Sequence, residues 1–74
     1  MDIQTLVRMA NQIGDFFQPM PDRGQALEDI AQHVRKFWEP RMRRQMLEHL
    51  DKQQGEGLSD IVKSALLAHR SLLE

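Results

Sequence analysis

Residues 37–44 read FWEPRMRR, a stretch that ends one amphipathic segment and begins the next. Proline is well placed at the first turn of a helix, and it pushes the residue before it out of the α region. These residues, the corner segment, therefore predict a stiff corner between two helices. They also contain the only tryptophan and three arginines. Because Trp and Arg are enriched at binding hot spots, the corner segment predicts a docking feature.

Outward from the corner segment, apolar residues recur at three- and four-residue spacing, and no stretch alternates like a strand. The connections are short, which favours antiparallel or steeply crossed neighbours. The predicted fold class is all-α, a small compact bundle of three to four short helices. An alternative is that the third and fourth helices fold only against a larger protein. The pattern places one helical domain at residues 1–74, with helices at about 3–17, 23–38, 40–51 and 60–73.

Local signals refine these helices. Asp2 and Ser59 are predicted N-caps, and Asp22 with Gln25 three residues later has a capping-box pattern. Gly14 lies on the apolar face of the first helix. Because glycine lowers helix stability by about 1 kcal/mol relative to alanine, its presence there predicts that another helix approaches closely. Residues 53–57 are predicted to be a flexible connection. The buried stripe of the second helix is predicted to be Leu27, Ile30, Ala31, Val34, Phe37 and Trp38.

The length of 74 residues limits the stability of the chain. A domain of this size buries only about 60–65% of the surface that its unfolded chain exposes. Its core rarely supplies more than roughly 3–5 kcal/mol without disulfides, metals or a partner, and the chain has no cysteine. We therefore expect the isolated chain to melt at low temperature or to self-associate. With neither a secretory signal nor a membrane-spanning run, a cytoplasmic location is predicted.

Charge is distributed unevenly. The net charge is −3 over residues 1–34, +4 over residues 35–44 and −2 over residues 45–74. A basic patch on an acidic chain favours an acidic protein partner. Nucleic acid is a distant second choice, with the third helix in a groove, because domains that bind it are mostly basic overall.

No residue pattern indicates catalysis. His33, His49 and His69 lie on three different helices without the paired spacing of a zinc site. Ser59 lacks the G-x-S-x-G context of a nucleophile, and the glycines form no phosphate-binding loop. The chain is therefore predicted to be no enzyme and to hold no metal or cofactor of its own.

The predicted partner-binding residues are aromatic, proline and arginine side chains. Arg43 borders the apolar face of its helix, where its stem could cover apolar surface while its guanidinium reaches a partner. A solvated face for each arginine, and a simple core position for Trp38, remain alternatives. On the docking interpretation, replacing Trp38 and Arg43 by alanine weakens partner binding and leaves the helicity nearly unchanged. The complete set is Phe16, Phe17, Trp38, Pro40, Arg41, Arg43 and Arg44.

Three segments of the chain resemble the delta subunit of soluble NAD-dependent, molybdenum-containing formate dehydrogenases. They are MANQIGDFF at residues 9–17, the stretch from Ile30-Ala31 through His33 to FWEPRMR at residues 37–43, and GLSDIV at residues 57–62 with the following Ala65-Leu66. The similarity preserves segment order and covers essentially the whole chain.

The resemblance implies a non-catalytic accessory subunit of a bacterial cytoplasmic complex. Its expected partner is the catalytic alpha subunit, which in this family carries bis-molybdopterin guanine dinucleotide and iron–sulfur clusters. The beta and gamma subunits, with further iron–sulfur clusters and FMN, belong to the same complex. The delta chain is then expected to support assembly, stability or cofactor insertion. A free regulatory adaptor, or a maturation chaperone that leaves after insertion, is the alternative that the resemblance keeps open.

Overall fold

The computed structural model describes residues 1–74, and all of its regular elements are helical. No strand is present, which confirms the predicted all-α class and the small helical bundle. The elements are α1 (Ile3–Phe17), α2 (Arg23–Phe37), α3 (Pro40–Gln53), α4 (Asp60–Ala68) and a short 3₁₀ helix (Arg70–Leu72).

Side-chain caps start the first two helices at the predicted residues. The carboxylate of Asp2 accepts a hydrogen bond of 3.2 Å from the Gln4 amide, and that of Asp22 accepts one of 3.1 Å from the Gln25 amide. The Gln25 side chain donates to Asp29 (2.9 Å) and does not reach back to Asp22. The capping box predicted there is therefore only half formed.

The corner between α2 and α3 forms as predicted. Trp38 (φ −91°, ψ 139°) and Glu39 (φ −66°, ψ 154°) are both extended, so α2 ends at Phe37, one residue earlier than expected. Pro40 then opens α3, since its ring suits the first turn and excludes Glu39 from the helix. α3 continues to Gln53, two residues past its predicted end.

The connection between α3 and α4 is a defined turn, which corrects the prediction of a flexible segment. Gly55 and Gly57 adopt positive φ angles of 69° and 90°, which side chains rarely tolerate. The Gly55 amide donates to the His49 carbonyl (3.2 Å), and the ring Nε2 of His49 lies 2.8 Å from the Glu56 carbonyl oxygen. Gly55 is itself buried.

The last helix is shorter than predicted. α4 stops at Ala68 because His69 (φ −120°, ψ 39°) leaves the helical region, and the 3₁₀ helix follows. The predicted helix to residue 73 is therefore wrong in its final turn. The break directs Leu73 into the core, where it is 1% exposed.

α3 and α4 are integral parts of the bundle. α4 packs chiefly against α2 and also meets α1, while α3 packs against α1. This excludes, for the folded chain, the alternative in which these helices await a partner. No helix has the length and apolarity of a membrane span. The core cluster contains Leu6, Ala10, Ala26, Ile30, Val34, Trp38, Met46, Leu50, Leu58, Ile61, Val62, Ala65, Leu66 and Leu73.

Few ion pairs support this packing, and all lie at the surface. Lys52 and Glu48 form an exposed pair one turn apart on α3 (3.7 Å). Arg70 joins the 3₁₀ helix to α3 through Asp51 (2.7 Å). This hydrogen bond, more than the charge of Asp51, raises the pKa of the Arg70 guanidinium. Exposed pairs of this kind contribute little stability, so the core carries the fold.

The crossing of α1 and α4 depends on Gly14, as the sequence predicts. A Cβ atom at Gly14 would lie 2.5 Å from Cγ2 of Val62 and 3.2 Å from Cγ2 of Ile61. Both of these side chains are β-branched and buried, so neither can move away easily. The glycine thus permits a helix–helix distance that no larger residue would.

Asn11, one turn before Gly14, holds the start of α4 against α1. Its Nδ2 donates to the Gly57 carbonyl (3.0 Å), and its Oδ1 accepts from the Ser59 amide (2.9 Å). Ser59 has the extended conformation of an N-cap residue, but its hydroxyl makes no capping hydrogen bond and is buried without a partner. The predicted role of the Ser59 side chain is therefore wrong, and Asn11 binds its backbone instead.

Gly14→Ala should destabilise the chain by up to about 2 kcal/mol, because overpacking costs about 1–3 kcal/mol and the gain in helix propensity offsets only about 1 kcal/mol of it. Gly24→Ala is the matched control. Its new Cβ would meet only an Asp22 carboxylate oxygen at 3.5 Å, so it should stabilise by up to about 1 kcal/mol. Urea unfolding followed by circular dichroism measures both, and equal gains would show that α1 and α4 are not in close contact.

Candidate docking surface

Trp38 is a core residue. Only 5% of its surface is exposed, and it packs in the same cluster as the buried residues of α2 and α4. The extended conformation that ends α2 turns the indole inward. This corrects the expectation that Trp38 contacts a partner, and with it the expectation that a Trp38→Ala change leaves helicity unchanged.

Phe37 takes the opposite position. It was predicted to lie in the buried stripe of α2, but 70% of its surface is exposed. Adjacent residues at a helix end diverge in direction, and the larger indole of Trp38 occupies the core. Phe37 is consequently held on the outside of the domain.

The exposed aromatic residues form a continuous row. Phe16, which is 77% exposed, contacts Phe17 edge to face with ring centroids 5.0 Å apart. Phe17 and His33 are 6.5 Å apart, and His33 and Phe37 are 4.6 Å apart. This row, the aromatic strip, crosses from the end of α1 to the end of α2. Of the two rings predicted to contact a partner, Phe16 is exposed and Phe17 is half-buried.

Arg43 acts within the fold. Its Nη1 donates to the carbonyls of Arg35 (3.0 Å) and Trp38 (2.8 Å), and its Nε is buried. Carbonyls in the last turn of a helix have no partner within the helix, and Arg43 supplies one. The predicted role in partner binding is thus corrected, because this guanidinium is committed to closing the corner between α2 and α3. The same contact removes Arg43 from the DNA-binding alternative.

Arg35 is likewise used internally. Its Nη1 donates to the carbonyls of Leu72 (3.2 Å) and Glu74 (3.0 Å), which fastens the C-terminal residues to α2. Two of the five cations between residues 35 and 44 therefore stabilise backbone ends. Their charge is partly offset by the carbonyl dipoles that they contact.

The other three cations of this region remain free. Lys36, Arg41 and Arg44 form no ion pair and no side-chain hydrogen bond, and all three are exposed, as is Pro40. We call these three cations the basic corner. Of the predicted partner-binding residues, Pro40, Arg41 and Arg44 are thus available at the surface together with Phe16.

The histidines lie in three different environments. His33 stacks in the aromatic strip, while His49 bonds the Glu56 carbonyl and His69 ends α4. No three histidine or acidic side chains are close enough to share a metal ion.

Sequence reasoning missed Phe37 as a surface residue, and it did not predict that His33 packs between aromatic rings. One signal was present: Phe37 and Trp38 are neighbours at a helix end, so both could not face the core. Asn11 was also missed, because its two contacts lie 46 and 48 residues away along the chain.

A family model agrees with this assignment of segments. The model for the NADH-dependent formate dehydrogenase delta subunit (FdsD) matches residues 5–66, which is most of the chain. The chain belongs to this family. Searches of curated proteins and of solved structures gave no match. The match includes α2, α3, the aromatic strip and the basic corner.

Membership in the delta subunit family places the chain among the subunits of a formate dehydrogenase, and so in a complex with other subunits of that enzyme. The expectation of a family resemblance is confirmed. Surfaces that stay exposed in the isolated chain are therefore candidates for contacts within such a complex. The aromatic strip and the basic corner are the strongest, because they combine apolar area with unpaired charge.

Trp38→Ala should abolish most of the helical signal. Deleting a buried tryptophan side chain costs roughly 3–5 kcal/mol, about the whole stability of a domain of this size. Phe37→Ala, the change at the neighbouring exposed ring, should stay within about 0.5 kcal/mol of wild type. Circular dichroism during thermal unfolding compares the two. If the Trp38 variant keeps its helicity, Trp38 does not stabilise the core, and the prediction that it contacts a partner is favoured again.

Arg43→Met should lower the free energy of unfolding by about 1–2 kcal/mol, because two carbonyls lose a charged donor. Arg44→Met, one residue further along α3 and exposed, is the control and should change it by less than about 0.5 kcal/mol. Urea midpoints measure both. Equal midpoints would mean that the Arg43 hydrogen bonds contribute nothing to the corner.

Proposed function

We propose that this chain is a non-catalytic accessory subunit of a cytoplasmic NAD-dependent formate dehydrogenase. It docks on the catalytic alpha subunit and supports assembly, stability or insertion of the molybdenum cofactor. The single observation that carries this proposal is the family match over residues 5–66. On this proposal, bis-molybdopterin guanine dinucleotide, the iron–sulfur clusters and FMN are bound by the alpha, beta and gamma subunits.

The surface chemistry supports docking. Aromatic rings lose little conformational freedom on binding and bury large areas, so exposed rings favour protein contacts. On this domain they lie on α1 and α2, and the free cations lie at the junction of α2 and α3. Trp38 and Arg43 support the surface from inside by fixing that junction.

The small core supports a role in which the partner also stabilises the chain. Whatever binds the folded state only, and not the unfolded chain, raises the free energy of unfolding by mass action. A domain with 17 buried residues out of 74 gains much from such a partner. Docking would in turn hold the catalytic subunit in a conformation that receives or retains its cofactor.

The first test is affinity purification of the tagged chain from its native cells, with mass spectrometry and molybdenum analysis. We expect a molybdenum-containing formate dehydrogenase at fixed stoichiometry. Recovery of only metal-free enzyme would indicate a maturation chaperone that leaves the finished complex. Recovery of no formate dehydrogenase subunit would overturn the proposal.

A charge-reversal pair tests the contribution of the basic corner. Arg41→Glu with Arg44→Glu should lower recovery of the enzyme about tenfold, since unlike charges at an interface become like charges. Arg8→Glu with Arg23→Glu is the control, because these arginines are also exposed and free of ion pairs but lie outside the corner. Equal loss in both pairs would show that overall charge, and not this surface, governs binding.

A further inference from the structure

A small hollow lies between the two helices that carry the aromatic strip. It is a shallow, open depression of about 190 Å³, lined by Phe17, Asp29, Gln32, His33, Lys36 and Phe37. Sites for cofactors and drug-sized ligands usually enclose about 300–1,000 Å³. The hollow is therefore too small for such a molecule and suits a single side chain of another protein.

Three of the six residues that line the hollow have rings. Phe37 stands 70% exposed at one side, with the His33 ring 4.6 Å away and Phe17 beyond it. A single exposed phenylalanine is common on protein surfaces. Several rings in contact around a depression form a contiguous apolar patch, whose exposure to water is unfavourable in free energy. An apolar side chain entering there would remove water from three rings together.

The charges around the hollow differ between its two ends. Lys36 has no carboxylate within ion-pair distance, whereas Asp29 already accepts a hydrogen bond from the Gln25 side chain (2.9 Å). These two residues are two helical turns apart, roughly 10 Å along α2. The end of the hollow next to Phe37 is thus cationic and unsatisfied.

The geometry points to a docking site for one segment of the catalytic subunit. That segment inserts an apolar side chain between Phe17 and Phe37 and places a carboxylate within one helical turn of it, paired with Lys36. This inference rests on the proposed function and adds the contact residues and the chemistry of the partner. The unpaired charge of Lys36 selects an acidic segment of the catalytic subunit as the occupant, and a second copy of this chain is the competing outcome of the cross-linking test.

Binding of purified variants to formate dehydrogenase prepared without this chain tests the inference. Phe37→Ala should raise Kd at least about tenfold, as for a hot-spot residue. Leu67→Ala is the matched control, an apolar side chain on α4 that is 55% exposed but lies outside the strip, and its Kd should stay within about twofold of wild type. Unfolding midpoints confirm that both variants are folded.

The role of Lys36 is tested by its salt dependence. Wild-type Kd should rise with ionic strength, and Lys36→Gln should raise Kd about fivefold at low salt and flatten that dependence. Arg23→Gln, at the other end of α2, should leave both unchanged. Loss of binding in Phe37→Ala with unchanged behaviour in Lys36→Gln would overturn the acidic character assigned to the partner segment.

Cross-linking identifies the occupant directly. Phe37→p-benzoylphenylalanine should cross-link to a catalytic-subunit segment with an apolar residue and an aspartate or glutamate within one turn. A cross-link to a second copy of this chain, or to a segment without a carboxylate, would overturn the inference. If the Phe37 and Lys36 variants bind as well as the wild type does, the docking site is wrong but the proposed function still stands. If wild type does not bind the enzyme, the proposed function fails with it.

Discussion

Trp38 packs its indole into the core where α2 ends, and this one placement determines the arrangement of the corner. The chain must be extended at Trp38 to turn the ring inward, so α2 stops one residue earlier and Phe37 is left outside. Pro40 then restarts the chain as α3, and Arg43 closes the junction by bonding two carbonyls at the end of α2. Packing of the Trp38 indole on the inside therefore leaves an exposed aromatic ring on the outside.

Arginine and lysine side chains of one short region serve two different purposes. Arg35 and Arg43 donate to backbone carbonyls that no helix satisfies, and thereby fasten the C-terminal residues and the corner. Lys36, Arg41 and Arg44 keep their charges free. Residues 35–44 therefore offer fewer free cations in the folded chain than their charge in the sequence indicates. Of the three, Lys36 lies beside His33 and Phe37 of the aromatic strip, so apolar and cationic groups meet there.

Such a surface is consistent with a small subunit whose folding and binding are linked. The domain closes its core with a glycine contact between α1 and α4 and with the Asn11 hydrogen bonds to the start of α4. These contacts give it a defined shape with modest apolar burial. A partner that covers the exposed rings would extend that core, because apolar burial is the main source of stability in both folding and association.

Caps, prolines and apolar spacing act over a few residues, so the amino-acid pattern was enough to predict the helical class and the starts of the helices. The family followed separately, from the resemblance of three segments to known delta subunits. Gly14 was also recognisable, since a glycine on an apolar helical face weakens its helix and therefore indicates a neighbouring helix at short distance. Packing alone determined that Trp38 faces inward and Phe37 outward, and that Arg43 bonds carbonyls. Each of these depends on groups that are brought together by the fold. Where a sequence pattern fits a buried and an exposed position equally well, the packing of the neighbouring helices decides which one the side chain takes.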